Sequence, residues 1–219
     1  MRRVCFAAAL LSLALQAPAD PQAEEAEEKG LALVESFVSG IESFTGNFRQ
    51  SLVDADGVVI DETEGTVEIL RPGRFRWDNT EPYEQWLIAD GVNIWNYDVD
   101  LEQVTVKPQA TALSNTPALI LSGASDAFDQ FEYIDSYQEA DYYWVRLEPR
   151  DADAGFDRME LGFLDDVLYR MVFFDNLGQR TLVQLEDVRV NPALEPSRFE
   201  FEIPEFADLI GTPASAAIE

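Results

Sequence analysis

From Phe44 to Ile203 the chain reads as a succession of short runs in which apolar and polar residues alternate, each soon closed by a turn signal. "SFTGNFRQSL" ends at Asp54-Ala55-Asp56-Gly57, and "TVEIL" ends at Arg71-Pro72-Gly73. "QWLIAD" and "VNIWNYD" flank Asp90-Gly91, a dipeptide that favours a tight hairpin because glycine accepts positive φ. "EQVTVK", "YYWVRLEP", "RMELGFL", "VLYRMVFFD" and "RTLVQLEDVRV" continue the series, with Asn176-Leu177-Gly178 as another turn, and "RFEFEI" closes it. About eleven or twelve strands are predicted. The gaps between them leave no room for the long crossovers that parallel strands need. The fold class is therefore mainly β, an antiparallel meander forming a sandwich or a barrel.

Two segments depart from this pattern. Leu31, Val34, Phe37, Val38 and Ile41 recur at helical spacing, so Glu24 to Gly40 is predicted as one amphipathic helix closed by Gly40. Within Thr116 to Gln130, Thr116 can cap and Pro117 can open a short helix ending near Gly123. A further helical turn is predicted at Asn191 to Ser197. A few helices are thus available to cover a large twisted sheet.

Met1-Arg2-Arg3 followed by the apolar Val4 to Leu15 has the charged start and apolar middle of a secretory signal, too short to anchor across a bilayer. Ala17-Pro18-Ala19 supplies the small-x-small pattern of a cleavage site. Residues 1–19 are predicted to be removed and residues 20–219 to form one domain. The single cysteine, Cys5, lies inside that segment and not at its end, where a lipid-anchored protein would carry it. The mature chain then has no thiol, and it folds on core packing alone.

Acidic residues number 42 against 15 basic ones, a net charge of −27. Loss of Arg2 and Arg3 lowers it to −29, so nucleic acid and anionic membrane surfaces should repel the protein. Histidine is absent, which excludes Ser-His and Cys-His nucleophiles and histidine metal sites. Neither Walker nor Rossmann glycine patterns occur. Close pairs among so many carboxylates arise by chance and identify no general acid or base. The expectation is a protein that is not an enzyme and has no catalytic residue, cofactor or metal.

"LRPGRFRWDNTEP", Leu70 to Pro82, gathers Arg71, Arg74 and Arg76 beside Phe75 and Trp77. Strand alternation places Phe75 and Trp77 on one face and Arg74 and Arg76 on the other, where surface carboxylates can pair with them. Arg71 shares its face with Val67 and Ile69. Spacing alone favours an arginine that turns out to solvent, with backbone carbonyls of a covering helix as the alternative acceptors. Trp77, Trp86 and Trp95, joined by Phe75, Tyr83 and Tyr97, read either as core or as the lining of a ligand-holding barrel.

"FTGNFRQ" (Phe44 to Gln50), "GTVEILRPGRFRW" (Gly65 to Trp77), "LIADGVNIWNYDVDLEQVTV" (Leu87 to Val106) and "TPALILSG" (Thr116 to Gly123) follow one another in the order and at the approximate spacing of a known family. Together they make the chain resemble the LolA family of outer-membrane lipoprotein carriers. "FFDNLGQRTLVQLEDVRVNPALEPSRFEFEIP" resembles the family's closing hairpin, helical turn and last strand more loosely. Family members often place a glycine and a V-D-like step after that strand's proline, whereas this chain reads Pro204-Glu205-Phe206-Ala207-Asp208.

The resemblance implies an unclosed, strongly curved antiparallel β-barrel of about 11 strands, with a lid of short α-helices over an apolar cavity. It implies a monomeric periplasmic chaperone. Such a carrier takes triacylated lipoproteins from an ATP-driven (ABC-type) release complex in the inner membrane and hands them to an outer-membrane acceptor. Arg71 and Pro72 match the family's R-P motif, whose arginine helps govern lid opening. Ile69, Phe75, Trp77, Leu87, Trp95, Tyr97, Val104 and Met171 are the candidates for lining the acyl-chain cavity. A periplasmic binder of free fatty acid or phospholipid is the alternative, and a carboxylate-dependent hydrolase ranks below both.

Overall fold

The computed structural model describes residues 21–112, 128–151 and 154–215. The predicted signal at 1–19 and the predicted helix at 116–123 lie outside them. The described chain opens with α1 (Pro21–Ser39) and continues through β1 (Ser43–Val53), β2 (Val59–Leu70), β3 (Arg74–Glu81), β4 (Gln85–Asp90), β5 (Asn93–Asp98) and β6 (Gln103–Pro108). A single helical turn, α2 (Gln109–Ala112), follows. The second half comprises β7 (Phe131–Glu139), β8 (Tyr142–Pro149), β9 (Phe156–Leu164), β10 (Val167–Asp175), β11 (Arg180–Val190) and the short β12 (Asp208–Ile210).

All twelve strands join one sheet in the order β12-β6-β5-β4-β3-β2-β1-β11-β10-β9-β8-β7. Two meanders are thus sewn together by the antiparallel β1–β11 pair. The sheet is curved and unclosed, and among the described strands only the β12–β6 pair is parallel. Register shifts within β1, β7 and β10 place an extra residue on one strand of a pair, which bends that strand and increases twist.

"RFEFEI", expected as a strand, is not one: a 3-10 turn (Pro196–Phe199) is followed by a segment that pairs with no strand among the described residues. Its alternation does bury Phe199, and Phe201 packs on the outer face of the sheet, so burial and not ladder pairing explains the pattern. β7, with polar residues between its apolar ones, was not anticipated. The predicted hairpin at Asp90-Gly91 forms, with Gly91 at φ +100°. There the Asp90 carboxylate accepts from the Val92 and Asn93 N–H groups, both at 2.7 Å.

The main core lies between the inner face of the sheet and α1. Phe44, Ile69, Phe75, Leu161 and Phe163 are buried there against Leu33, Val34, Phe37 and Val38 of the helix. Each such side chain contributes roughly 1.5–3 kcal/mol on burial, which is what holds a helix rich in glutamate on the sheet. One glycine is obligatory for this packing. A Cβ at Gly65 would lie 1.8 Å from the Asp78 carbonyl oxygen and 2.8 Å from the Phe48 ring. That open space lets Phe48 stack on Trp77 at 4.1 Å.

Candidate functional site

Cross-strand register assigns every side chain of β2–β6 to a face, because directly paired residues point the same way. Ile69, Phe75, Ala89 and Ile94 form one inner row through successive pairs. Val67, Trp77, Leu87 and Asn96 form the next. The intervening rows, Arg76-Ile88-Trp95-Val106 and Asp78-Trp86-Tyr97-Val104, point outward.

This divides the eight expected lining residues. Ile69, Phe75, Trp77, Leu87 and Met171 belong to the inner cluster. Trp95, Tyr97 and Val104 do not. They sit in a second cluster on the outer face, where Phe201 stacks on Trp95 at 5.3 Å and lies 6.0 Å from Tyr97. The Asp90 carboxylate also accepts from the Trp95 indole N–H at 2.7 Å, fixing the ring there. A cavity on the inner face cannot be lined by these three.

The five inner residues differ in accessibility. Ile69, Phe75 and Met171 are at most 2% exposed and act as packed core. Trp77 and Leu87 are half-buried, as is Ile94, which sequence reasoning passed over. Beyond this apolar band the inner face turns polar. A groove of about 480 Å³ there is lined by Gln50, Asn79, Gln85 and Asp98 among others. A larger groove, about 660 Å³, lies on the outer face, where Thr66 and Glu68 pair with Asp78 and Arg76, and is lined also by Thr45 and Asp187 among others. Its carboxylates are engaged, Glu68 with Arg198 and Asp187 with the Asn47 amide at 3.0 Å.

Arg71 does not turn out to solvent. Its Nη1 donates to the Phe37 carbonyl and, at 3.0 Å, to the Ile41 carbonyl, and the guanidinium lies 4.9 Å from the centre of the Phe37 ring. The Phe37 carbonyl lies in the last turn of α1, where helical geometry leaves acceptors free and the helix dipole favours a cation, and the Ile41 carbonyl lies just past the helix. Burial pushes the Arg71 pKa down to about 10, so the group is still charged at neutral pH. Among the described residues its Nε and Nη2 are buried without a hydrogen-bond partner. The arginine thus joins the end of β2 to the end of α1 by a polar contact inside an apolar setting.

The turn carrying Arg71 and Pro72 is itself held. Gln109, buried, donates from Nε2 to the Gly73 carbonyl at 2.6 Å and accepts the Gly91 N–H at 3.0 Å. It clamps the Arg71-Pro72-Gly73 turn to the β4–β5 hairpin, and nothing in the spacing of the sequence pointed to it. Arg74 and Arg76 face outward as expected, Arg76 pairing with Asp78 at 2.7 Å and Arg74 reaching the Asp90 carbonyl at 3.4 Å. Burial raises the Asp78 pKa despite that partner.

Among the described residues no group of three or more potential ligands is placed to hold a metal ion. No described helix is long and apolar enough to cross a membrane.

The family model described as "Outer membrane lipoprotein carrier protein LolA" matches residues 39–202. An "Outer-membrane lipoprotein carrier protein" of Methylobacillus flagellatus is 36% identical, over 94% of this chain and 98% of its own length. One of the same name from Chromohalobacter salexigens is 38% identical, over 87% of this chain and 90% of its own. Among solved structures, an uncharacterized conserved protein from Thermus thermophilus superposes with a TM-score of 0.53 at 17% identity, covering 84% of this chain and 97% of that one. That last likeness concerns the fold alone.

Proposed function

The chain belongs to the LolA family of outer-membrane lipoprotein carrier proteins, and from that premise we propose that it shields the acyl chains of lipoproteins on the inner face of its sheet. The observation that carries this reading is the half-buried apolar band of Trp77, Leu87 and Ile94 beside a core closed by α1. Release of a triacylated protein into water is prohibitive without a carrier. Three chains of about fifteen methylenes, at roughly 0.8 kcal/mol per buried CH₂, cost tens of kcal/mol. A carrier must cover much of that surface, yet hold it less tightly than the next acceptor does.

Loading begins at the accessible band and deepens as α1 moves away from the sheet, because Ile69 and Phe75 are covered while the helix is seated. Arg71 opposes that movement through its bonds to the Phe37 and Ile41 carbonyls. When they break, the guanidinium gains water and the helix end gains freedom, so the cost of opening is modest and reversible. Pro72 and Gln109 keep the arginine in place.

The chain works in the periplasm after cleavage behind Ala19. It receives cargo from an ATP-driven inner-membrane complex and yields it to an outer-membrane acceptor. Binding and release require no catalytic residue, nucleotide, metal or partner copy.

The test is displacement of N-phenyl-1-naphthylamine from the mature protein by a triacylated lipopeptide, with the unacylated peptide as control. Saturable displacement by the acylated peptide alone is expected. Equal displacement by both peptides, or no dye binding, would remove the mechanism. Displacement by free fatty acid but not by lipopeptide would favour a binder of free lipid.

A further inference from the structure

α1 is held at two points on well-separated strands. Arg71 holds its C-terminal end from β2. Its N-terminal half is held from β7 and β8, where two hydroxyls donate to the carbonyl oxygen of Ala26 and a third backs them. Ser136 Oγ donates to that oxygen at 2.8 Å and Tyr143 OH at 2.9 Å. Tyr133 OH donates to Ser136 Oγ at 2.9 Å, and Ser136 Oγ and Tyr143 OH are also 2.9 Å apart. Each hydroxyl proton is used once, so the cluster is satisfied as a unit. Burial raises the Tyr133 pKa, which keeps that hydroxyl a donor.

The acceptor is informative. Helix ends need outside partners, but Ala26 lies within α1, where helical geometry directs its carbonyl at the N–H four residues on. The hydroxyls are not repairing an unsatisfied helix terminus, so their contribution is to fix where the helix sits. Gly30 makes the approach possible. A Cβ there would lie 3.0 Å from Tyr133 Cε2 and 3.2 Å from Ser136 Oγ. Lys29 adds a contact 4.3 Å above the Tyr143 ring.

The two attachments differ in kind. One is a single long side chain at the frayable end of the helix. The other is two aromatic rings and a serine locked against a backbone with no side chain between. From Ala26 to Phe37 the helix rises about 16 Å, a lever long enough to uncover the core at one end while the other stays fixed. We propose that Tyr133, Ser136 and Tyr143 form the pivot about which α1 swings when Arg71 lets go. They position the helix and do not touch cargo. The use of this motion rests on the carrier reading, but the motion itself is tested without cargo.

The experiment is amide hydrogen exchange along α1 in the full mature protein, with retained thermal unfolding as the control for folding. Arg71→Leu is expected to raise exchange near residues 37–40 by about tenfold or more while residues 26–31 keep their protection. The pair Tyr143→Phe with Ser136→Ala is expected to do the reverse. Gly30→Ala, which leaves every hydroxyl in place, should loosen the same end as that pair. Uniform acceleration along the helix in Arg71→Leu would mean that it detaches as a rigid unit and would overturn the pivot. So would unchanged exchange at 26–31 in both the hydroxyl pair and Gly30→Ala. Dye displacement by lipopeptide on the same samples separates this outcome from the carrier reading, since acyl binding can persist where the pivot fails.

Discussion

The two faces of β3–β6 are both apolar and aromatic, yet their aromatic residues are covered to different degrees by the described chain. On the outer face the segment after β11 lays Phe201 over Trp95 and Tyr97, which are left 7% and 8% exposed. The same segment continues through a turn at Pro204–Ala207 into β12 on the edge strand β6 and ends with Ala214 exchanging two hydrogen bonds with the Asn93 side chain. On the inner face Trp77 rests on Phe48, and Leu87 and Ile94 beside it stay half-buried. Aromatic residues capped by their own chain are structure. Those left partly open beside α1 are, on the proposed reading, the ones that a ligand would reach.

That contrast can be broken most forcefully by large-to-small substitution. Trp95→Ala should cost about 3–5 kcal/mol in denaturant unfolding, with the lipopeptide affinity of the folded fraction unchanged. Trp77→Ala should cost less stability, because the side chain is less fully buried than Trp95, and should weaken lipopeptide binding by about tenfold, near 1.4 kcal/mol. Reversal of the two would assign the faces the other way. Gln109→Ala comes next. Loss of both bonds to the turns that carry Arg71 should cost about 1–3 kcal/mol and raise the rate of dye release, and a stopped-flow trace unchanged from the parent would deny it a positioning role.

Smaller effects sharpen the picture of the outer face. Arg198 pairs with Glu68 through an exposed guanidinium, so Arg198→Ala should shift stability by no more than about 1 kcal/mol and leave binding alone. Tyr137, stacked on Trp144, has its pKa pushed up to about 12 by burial and by Glu160. The folded state therefore holds that proton more tightly than the unfolded chain. The stability it contributes is complete below pH 10 and is lost as pH rises from about 10 to 12. Tyr137→Phe should flatten that part of the stability curve, as read by urea unfolding at several pH values.

Much of the fold was legible because its signals are local. Asp90-Gly91 and Asn176-Leu177-Gly178 each close the hairpin they predicted, and the spacing from Leu31 to Ile41 locates α1, whose Val34, Phe37 and Val38 are buried. Faces were harder to read. Trp77, Trp95 and Tyr97 were grouped by aromatic density, whereas pairing of Ala89 with Ile94 across the turn puts Leu87 opposite Asn96 and sends Trp95 outward. Register across that turn held the answer, and density concealed it. Arg71 was ambiguous because its acceptors, the Phe37 and Ile41 carbonyls, are backbone atoms thirty or more residues away. Gln109 and the Ser136 cluster were invisible for the same reason: a side chain that bonds distant backbone atoms leaves no periodicity behind.

The four tryptophans make the central claim directly measurable, since Trp77 faces inward while Trp86, Trp95 and Trp144 face outward. A triacylated lipopeptide with brominated chains quenches indole fluorescence only on close approach. Titrated into the parent protein it should quench part of the emission, and that part should vanish in Trp77→Phe and persist in Trp95→Phe. Quenching that survives in Trp77→Phe and is lost in Trp95→Phe would put the acyl chains on the outer face and contradict the account.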